Sequence, residues 1–210
     1  MRGLADPNSK VFSLLNKLAL LLELNVLVCL SCLPLITVGA SLCSMHAVLL
    51  KIYRNEEKRI FTDFFQAMKS NLKNGTILWL LFLGYLGVLA LIWNVALSQF
   101  PNGATYVLFS LLFAAVIGML YLDWALILLS RYVYTVPQCL KYALLAWMKY
   151  PGSTLIYLIS LAAPLLLCCS IQTMPLVFLI AVTLSHLIST TLYSTVFDQM
   201  EGVSSQLPQL

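Results

Sequence analysis

The placement of the positive charges is the feature that most constrains how this chain folds. All twelve Lys and Arg residues lie in three short patches. The N-terminal patch holds Arg2, Lys10 and Lys17, and the other two patches lie at residues 51–73 and 131–149. The stretches between the patches are almost purely apolar. This pattern is typical of helices that cross a lipid bilayer while their charged connections stay in water.

The composition favours a membrane protein over a soluble one. Only 10% of the residues are charged and 61% are hydrophobic, whereas a soluble domain carries about 25% charged residues. The net charge of +4 does not indicate a nucleic-acid partner, because no separate soluble domain carries a basic face. The six cysteines lie in or beside apolar runs, so a disulfide framework is not expected.

The lengths of the apolar runs predict one all-α membrane domain over residues 18–197, with about six transmembrane helices. A spanning helix needs about 20 residues. We therefore expect spans at about 18–35, 38–53, 76–97, 105–130, 153–171 and 175–197. Residues 1–17 are predicted to form an amphipathic segment in the headgroup region, and residues 198–210 a short cytoplasmic tail.

The segment Pro34-Leu-Ile-Thr-Val-Gly39-Ala-Ser41 predicts a tight turn between the first two spans. Pro34 disrupts a helix, and Gly39 permits a reversal of chain direction. Thr37 or Ser41 is a candidate N-cap of the helix that follows. The alternative for residues 18–52 is a single tilted helix with a kink at the proline.

Counting the positive charges orients the predicted spans. With six spans, all three basic patches face the same side of the membrane. With five spans, the N-terminal patch would face the opposite side. Because Lys and Arg are enriched on the cytoplasmic side, we predict six spans with both termini in the cytoplasm.

The two longer basic patches resemble each other in pattern. Each follows an Arg at the end of a span, Arg54 or Arg131, and each places apolar residues on one face of a helix. We predict a cytoplasmic amphipathic elbow helix in each link. The first link carries Phe64, Phe65, Lys69 and Lys73, and the second begins with Thr135 as N-cap and Pro137 in the first turn.

Two interpretations of this likeness stay open. A span, a basic elbow and a second span occur twice in the same orientation, which is the arrangement of a parallel internal repeat in some transporters. The alternative is that any membrane hairpin favours a basic interfacial helix followed by a Gly or Pro break.

The residues from Leu33 to Ser41, followed by Phe64-Phe65, Lys69-x-Asn71-x-Lys73 and Trp79, resemble the YesL-like family of bacterial membrane proteins. The likeness is strongest over residues 11–97. The resemblance implies a bacterial inner-membrane protein of undefined activity. Such proteins are commonly encoded near carbohydrate ABC-transport genes, which is an association and not a mechanism.

Asp123 is the only acidic residue deep within a predicted span. An ionisable group inside the bilayer is costly and marks a functional site by default. Its candidate partners on a neighbouring helix are His46, Lys51 and Arg54. Either the carboxyl group lies near a transport pathway, or it ties two helices together by hydrogen bonding. The candidate polar residues are therefore Asp123, His46, Arg131 and Arg54, whereas His186 is predicted to be a packing histidine with no acid nearby.

The sequence contains no Gly-rich phosphate loop, zinc-ligand cluster or nucleophile elbow. We therefore predict neither an enzyme nor a bound cofactor or metal. The favoured function is an accessory or assembly partner of a carbohydrate ABC transporter, docked through the elbow helices, and it follows from the resemblance. The alternative is a small solute transporter or channel with Asp123 near the pathway. The expected partners are the lipid bilayer and such a membrane protein.

Overall fold

A computed structural model of the protein describes residues 10–54, 56, 59–99, 103–156, 158–159, 183, 185–188 and 190–191. This part of the chain is 93% helical and contains no strand, so the all-α prediction is confirmed for it. The helices are α1 (Lys10–Ser31), α2 (Val38–Arg54), α3 (Ile60–Gln99), α4 (Ala104–Arg131) and α5 (Val136–Lys149).

Within the described residues, three apolar helical stretches are long enough to cross a membrane. They are Leu35–Arg54, Ile60–Gln99 and Thr105–Arg131, and a shorter apolar stretch covers Ala19–Ser31. The predicted spans 153–171 and 175–197 lie largely outside the described residues, as do residues 1–9 and 198–210. The number of spans therefore stays a prediction.

The turn between α1 and α2 is closed by two hydroxyl groups. It contains a short 3₁₀ helix, Leu35–Thr37. The Thr37 hydroxyl lies 2.7 Å from the Ser31 carbonyl oxygen and 2.9 Å from that of Pro34, and the Ser41 hydroxyl lies 3.1 Å from the Ser31 oxygen. These donors satisfy a carbonyl at the end of α1. Thr37 and Ser41 thus hold the end of the first helix, and their predicted N-cap role stays a prediction.

The first predicted elbow is not a separate helix, which corrects the sequence-based expectation. α3 runs without interruption over 40 residues, which corresponds to about 60 Å. The hydrocarbon core of a bilayer is about 30 Å thick, so this helix extends well beyond it. The helix continues through Gly75, because this glycine lies at a helix contact and not at a turn.

Gly39 of α2 and Gly75 of α3 mark a close approach of two helix backbones. A Cβ atom on Gly39 would overlap the carbonyl oxygen of Gly75, and a Cβ on Gly75 would lie 2.9 Å from the Cα of Ala40. Small residues allow membrane helices to pack this closely. The contact fixes how α2 crosses α3.

The second predicted elbow corresponds to a separate helix, α5. The chain is extended at Tyr132, after the end of α4. The backbone N–H and the hydroxyl of Thr135 both donate to Oε1 of Gln138, at 3.1 and 2.8 Å. Pro137 occupies the first turn, where its missing N–H costs nothing.

Two apolar clusters hold the described helices together. The first joins α1, α2 and the start of α3, and it includes Leu24, Leu49 and the fully buried Phe64. The second joins α4 and α5 and includes Trp124, whose indole N–H donates to the Thr154 hydroxyl at 2.9 Å. A polar contact between His46 and Asp123 lies where α2 and α4 meet.

Candidate functional site

Three helical segments meet at a buried centre made of His46, Asp123 and His186. His46 lies on α2 with no exposed surface, Asp123 lies on α4, and His186 lies in the described helical segment 185–188. His46 Nε2 is 3.1 Å from Asp123 Oδ1, and His186 Nδ1 is 3.6 Å from the same oxygen. The two imidazole rings meet edge to face, with their centroids 5.2 Å apart. Both histidines of the chain therefore lie at one carboxyl group.

The hydrogen bonds of Thr190 determine which nitrogen of His46 carries a hydrogen. The Thr190 hydroxyl has one hydrogen and donates it to the backbone carbonyl oxygen of His186 at 2.7 Å. A carbonyl oxygen can only accept. The Nδ1 atom of His46, 3.0 Å from the same hydroxyl, therefore donates its own hydrogen to Thr190.

The other nitrogen of His46 faces the carboxyl group. An unshared electron pair on Nε2 would be repelled by a carboxylate oxygen at 3.1 Å. A proton or another cation must therefore lie between Nε2 and Oδ1. A buried charge is costly unless it is paired, so the cation also neutralises the carboxylate. The geometry therefore indicates a proton or a metal cation between α2 and α4.

A second polar contact links α1 to the chain just before His186. The Thr183 hydroxyl donates to Oδ1 of Asn25 on α1. The buried Nδ2 atom of Asn25 has no hydrogen-bond partner within the described part of the chain. Because Thr183 and His186 lie one turn apart, this contact fixes the segment that supplies His186.

The structure separates the other candidate partners from Asp123. Lys51 pairs with Asp63 of α3, with its Nζ atom 2.6 Å from Oδ1. Arg54 follows His46 by eight residues, and Arg131 follows Asp123 by eight residues. Eight residues of α-helix span about 12 Å, so both arginines lie at helix ends and not at the centre.

Arg131 lies instead beside a small polar cavity of about 210 Å³ near the end of α4. The guanidinium carbon of Arg131 is 5.5 Å from the centroid of the Tyr132 ring. Asn74 of α3 lines the same cavity and donates to the Tyr134 carbonyl oxygen at 3.2 Å. This contact joins α3 to the segment between α4 and α5.

The remaining predicted site residues lie along the first half of α3. Phe64 is fully buried, whereas Phe65 is 44% exposed. Lys69 and Lys73 are exposed. These residues do not contribute to the polar centre.

His186 is the member of the centre that the sequence analysis missed. Its nearest acidic residue in the chain, Asp198, is twelve residues away, and the carboxyl group it approaches comes from another helix. A signal was nevertheless present, because a chain with one intramembrane acid and only two histidines offers few ways to stabilise that acid. The structure brings Asp123 together with both histidines.

The long apolar helices and the buried polar centre between them define a helical membrane protein. The family model described as "Protein of unknown function, DUF624" matches residues 18–93 of this chain. The matched stretch contains His46 and both glycines of the α2–α3 contact, and it ends before Asp123. No curated protein and no solved structure matches the chain.

Proposed function

We propose that the protein is a small transporter or channel of a bacterial inner membrane, with a pathway that passes the centre formed by His46, Asp123 and His186. Six spans with both termini in the cytoplasm are part of this proposal. The single observation that carries it is the buried carboxyl group of Asp123, which two imidazoles approach within 3.6 Å. Intramembrane acids paired with histidine are characteristic of ion and proton pathways.

The position of the centre along the helices supports this function. His46 and Asp123 each precede a terminal arginine by eight residues, or about 12 Å of helix. If both arginines lie at the cytoplasmic surface, the centre lies near the middle of a hydrocarbon core about 30 Å thick. Substrate and coupling-ion sites of transporters are found near this plane.

Proton movement through the centre can be measured in proteoliposomes that contain the full chain, a trapped pH-sensitive dye and EDTA. An imposed membrane potential should drive proton uptake by the wild type. Asp123→Asn keeps the size of the side chain but removes its negative charge, so uptake should fall to the rate of protein-free liposomes.

The matched control for this experiment is Asp63→Asn. Asp63 is also buried, at 7% exposure against 6% for Asp123, but it pairs with Lys51 away from the centre. This variant should retain the wild-type rate. Uptake by Asp123→Asn at the wild-type rate, or wild-type uptake no faster than protein-free liposomes, would contradict the proposal.

The proposed topology can be tested by thiol labelling of intact cells after the six native cysteines are replaced. Ile36 lies in the turn after α1 and is 62% exposed. An impermeant maleimide should label Ile36→Cys from outside, and it should label Ala5→Cys only after the membrane is permeabilised. Labelling of Ala5→Cys in intact cells would show that the N-terminus lies outside, which is opposite to the proposed orientation.

A second candidate function is an accessory partner of a carbohydrate ABC transporter, as the resemblance to the YesL-like family implies. The observation that favours it is the exposed apolar surface of α5, where Leu145 is 53% and Met148 71% exposed. Exposed apolar patches of this kind mark contacts with a protein or with lipid. Purification in mild detergent should then recover a stoichiometric ABC-transporter subunit, and Met148→Glu should release it. Recovery of the chain alone would count against this function.

A further inference from the structure

We propose that His46, Asp123 and His186 bind a divalent transition-metal ion of the Zn²⁺ type. The ligand atoms of the three side chains all lie within 4.8 Å of one another. This inference rests on the proposed function for its site, and it names the class of ion that the site takes. Binding is measured without flux, so the two proposals can fail separately.

The distances from Asp123 to the two histidines fit a bound metal, and the two imidazole nitrogens, which lie within 4.8 Å of each other, must approach by up to about 1.5 Å. Tetrahedral Zn²⁺ has bonds of about 2.0–2.1 Å to nitrogen and oxygen, so two of its ligand atoms lie about 3.3 Å apart. The observed separations from Asp123 Oδ1 are 3.1 Å to His46 Nε2 and 3.6 Å to His186 Nδ1. A shift of a few tenths of an ångström therefore brings both pairs to the spacing of a coordinated ion.

The hydrogen bond from His46 to Thr190 fits the same assignment. A histidine that binds a metal through one ring nitrogen almost always donates a hydrogen bond from the other, which fixes the tautomer and the ring orientation. Nδ1 of His46 donates to Thr190 at 3.0 Å, which directs the electron pair of Nε2 towards Asp123. Thr190 is therefore a positioning residue of the site.

The chemistry of the donors selects the class of metal. Two imidazoles and one carboxylate suit Zn²⁺, and the same set suits Co²⁺, Mn²⁺ or Fe²⁺, whereas Mg²⁺ and Ca²⁺ prefer oxygen ligands. Three protein ligands leave a fourth position for water or substrate. Two neutral imidazoles and one carboxylate also offset one of the two positive charges of the ion.

The binding experiment uses the full chain in detergent after EDTA treatment and its removal. Co²⁺ serves as the spectroscopic probe, and Zn²⁺ competes with it. We expect the wild type to bind one Co²⁺ with the visible absorption of tetrahedral coordination, without the charge-transfer absorption of a thiolate ligand. Zn²⁺ should displace the Co²⁺ and raise the melting temperature of the protein.

Three variants locate the ion. His46→Gln and His186→Gln each remove a ligand, so saturable Co²⁺ binding should be lost. Thr190→Val leaves all three ligands in place and should weaken binding by about 10- to 100-fold, as loss of a supporting hydrogen bond does at metal sites. Asp63→Asn is the control and should bind Co²⁺ as the wild type does.

The wild-type measurement decides the proposal even if a ligand variant does not fold. If about a 100-fold molar excess of Co²⁺ over protein gives no visible absorption, and Zn²⁺ does not change the melting temperature, the metal assignment is wrong. The cation between His46 and Asp123 is then a proton. Saturable Co²⁺ binding that survives in both His46→Gln and His186→Gln would also show that these residues do not form the metal site. Proton flux that depends on Asp123 would still support the proposed function in either case.

Discussion

The two basic links of this protein look alike in sequence but fold differently. The first follows α2 and enters α3 as part of one helix of 40 residues. The second follows α4 through extended residues and begins the separate helix α5. In one of the two interpretations of the sequence, each link ends in a Gly or Pro break. The comparison shows that a proline such as Pro137 interrupts a helix, whereas a glycine such as Gly75 does not by itself end one.

Proline accounts for much of the difference. Residues 55–99 contain no proline, so each of these residues can donate a helical hydrogen bond. In the second link, Pro137 cannot lie in a helix interior, because its ring collides with the preceding turn and it lacks an N–H. Thr135 and Gln138 then cap the new start. A glycine costs a helix only about 1 kcal/mol, and close packing at Gly75 offsets that cost.

The largest effect is expected for Gly75→Ala. The added methyl group would lie 2.9 Å from Ala40 Cα, and overpacking of this kind costs about 1–3 kcal/mol. Gly84→Ala on the same helix is the control, because a Cβ there meets nothing within 4 Å, and it should stabilise by up to about 1 kcal/mol. Denaturant titration in micelles, followed by circular dichroism, measures both. A stabilised Gly75→Ala would mean that this glycine acts as a hinge.

A smaller effect is expected for Thr135→Ala at the start of α5. Loss of an N-cap typically costs about 1 kcal/mol. Thr76→Ala lies within α3, where no cap is needed, and should be neutral or stabilising by a few tenths of a kcal/mol, about the difference in helix propensity. The same denaturant titration applies to both variants. Equal destabilisation of the two would show that the two links are held in the same way.

The smallest effect is expected for Lys51→Met, which removes the ion pair with Asp63 in the first link. The Lys51 side chain is 40% exposed, and ion pairs with an exposed partner contribute about 0–1 kcal/mol. Lys69→Met, at an exposed position of α3, is the control for loss of a positive charge. A loss of stability as large as that of Gly75→Ala would show that the ion pair with Asp63 anchors α3 more strongly than the glycine contact does.

The sequence was most informative where one residue acts through local chemistry. Pro34 marks the end of the first helical stretch, and the structure has a turn there. Thr135 and Pro137 indicate the start of α5, because a cap and a first-turn proline act within four residues of the chain. Asp123 is identified as unusual by its position alone.

The sequence was least informative where the outcome depends on a partner far along the chain. Whether Gly75 bends the helix or packs it depends on Gly39, which lies on another helix. The approach of His186 to Asp123 joins two segments about sixty residues apart, and no local pattern specifies it. Likewise, the pairing of Lys51 with Asp63, which removes Lys51 from the candidates for the centre, follows from the packing of α2 on α3.

The uninterrupted course of α3 has a mechanical consequence. The fifteen residues from Ile60 to Asn74 form a rigid arm about 22 Å long, continuous with the apolar remainder of the helix. A tilt of about 10° at the glycine crossing would move the far end of that arm, where Phe64 packs with α1 and α2, sideways by about 4 Å. Because the start of α3 packs against α2, a small reorientation of α2, the helix that carries His46, would carry the arm with it and could be sensed by a neighbouring protein.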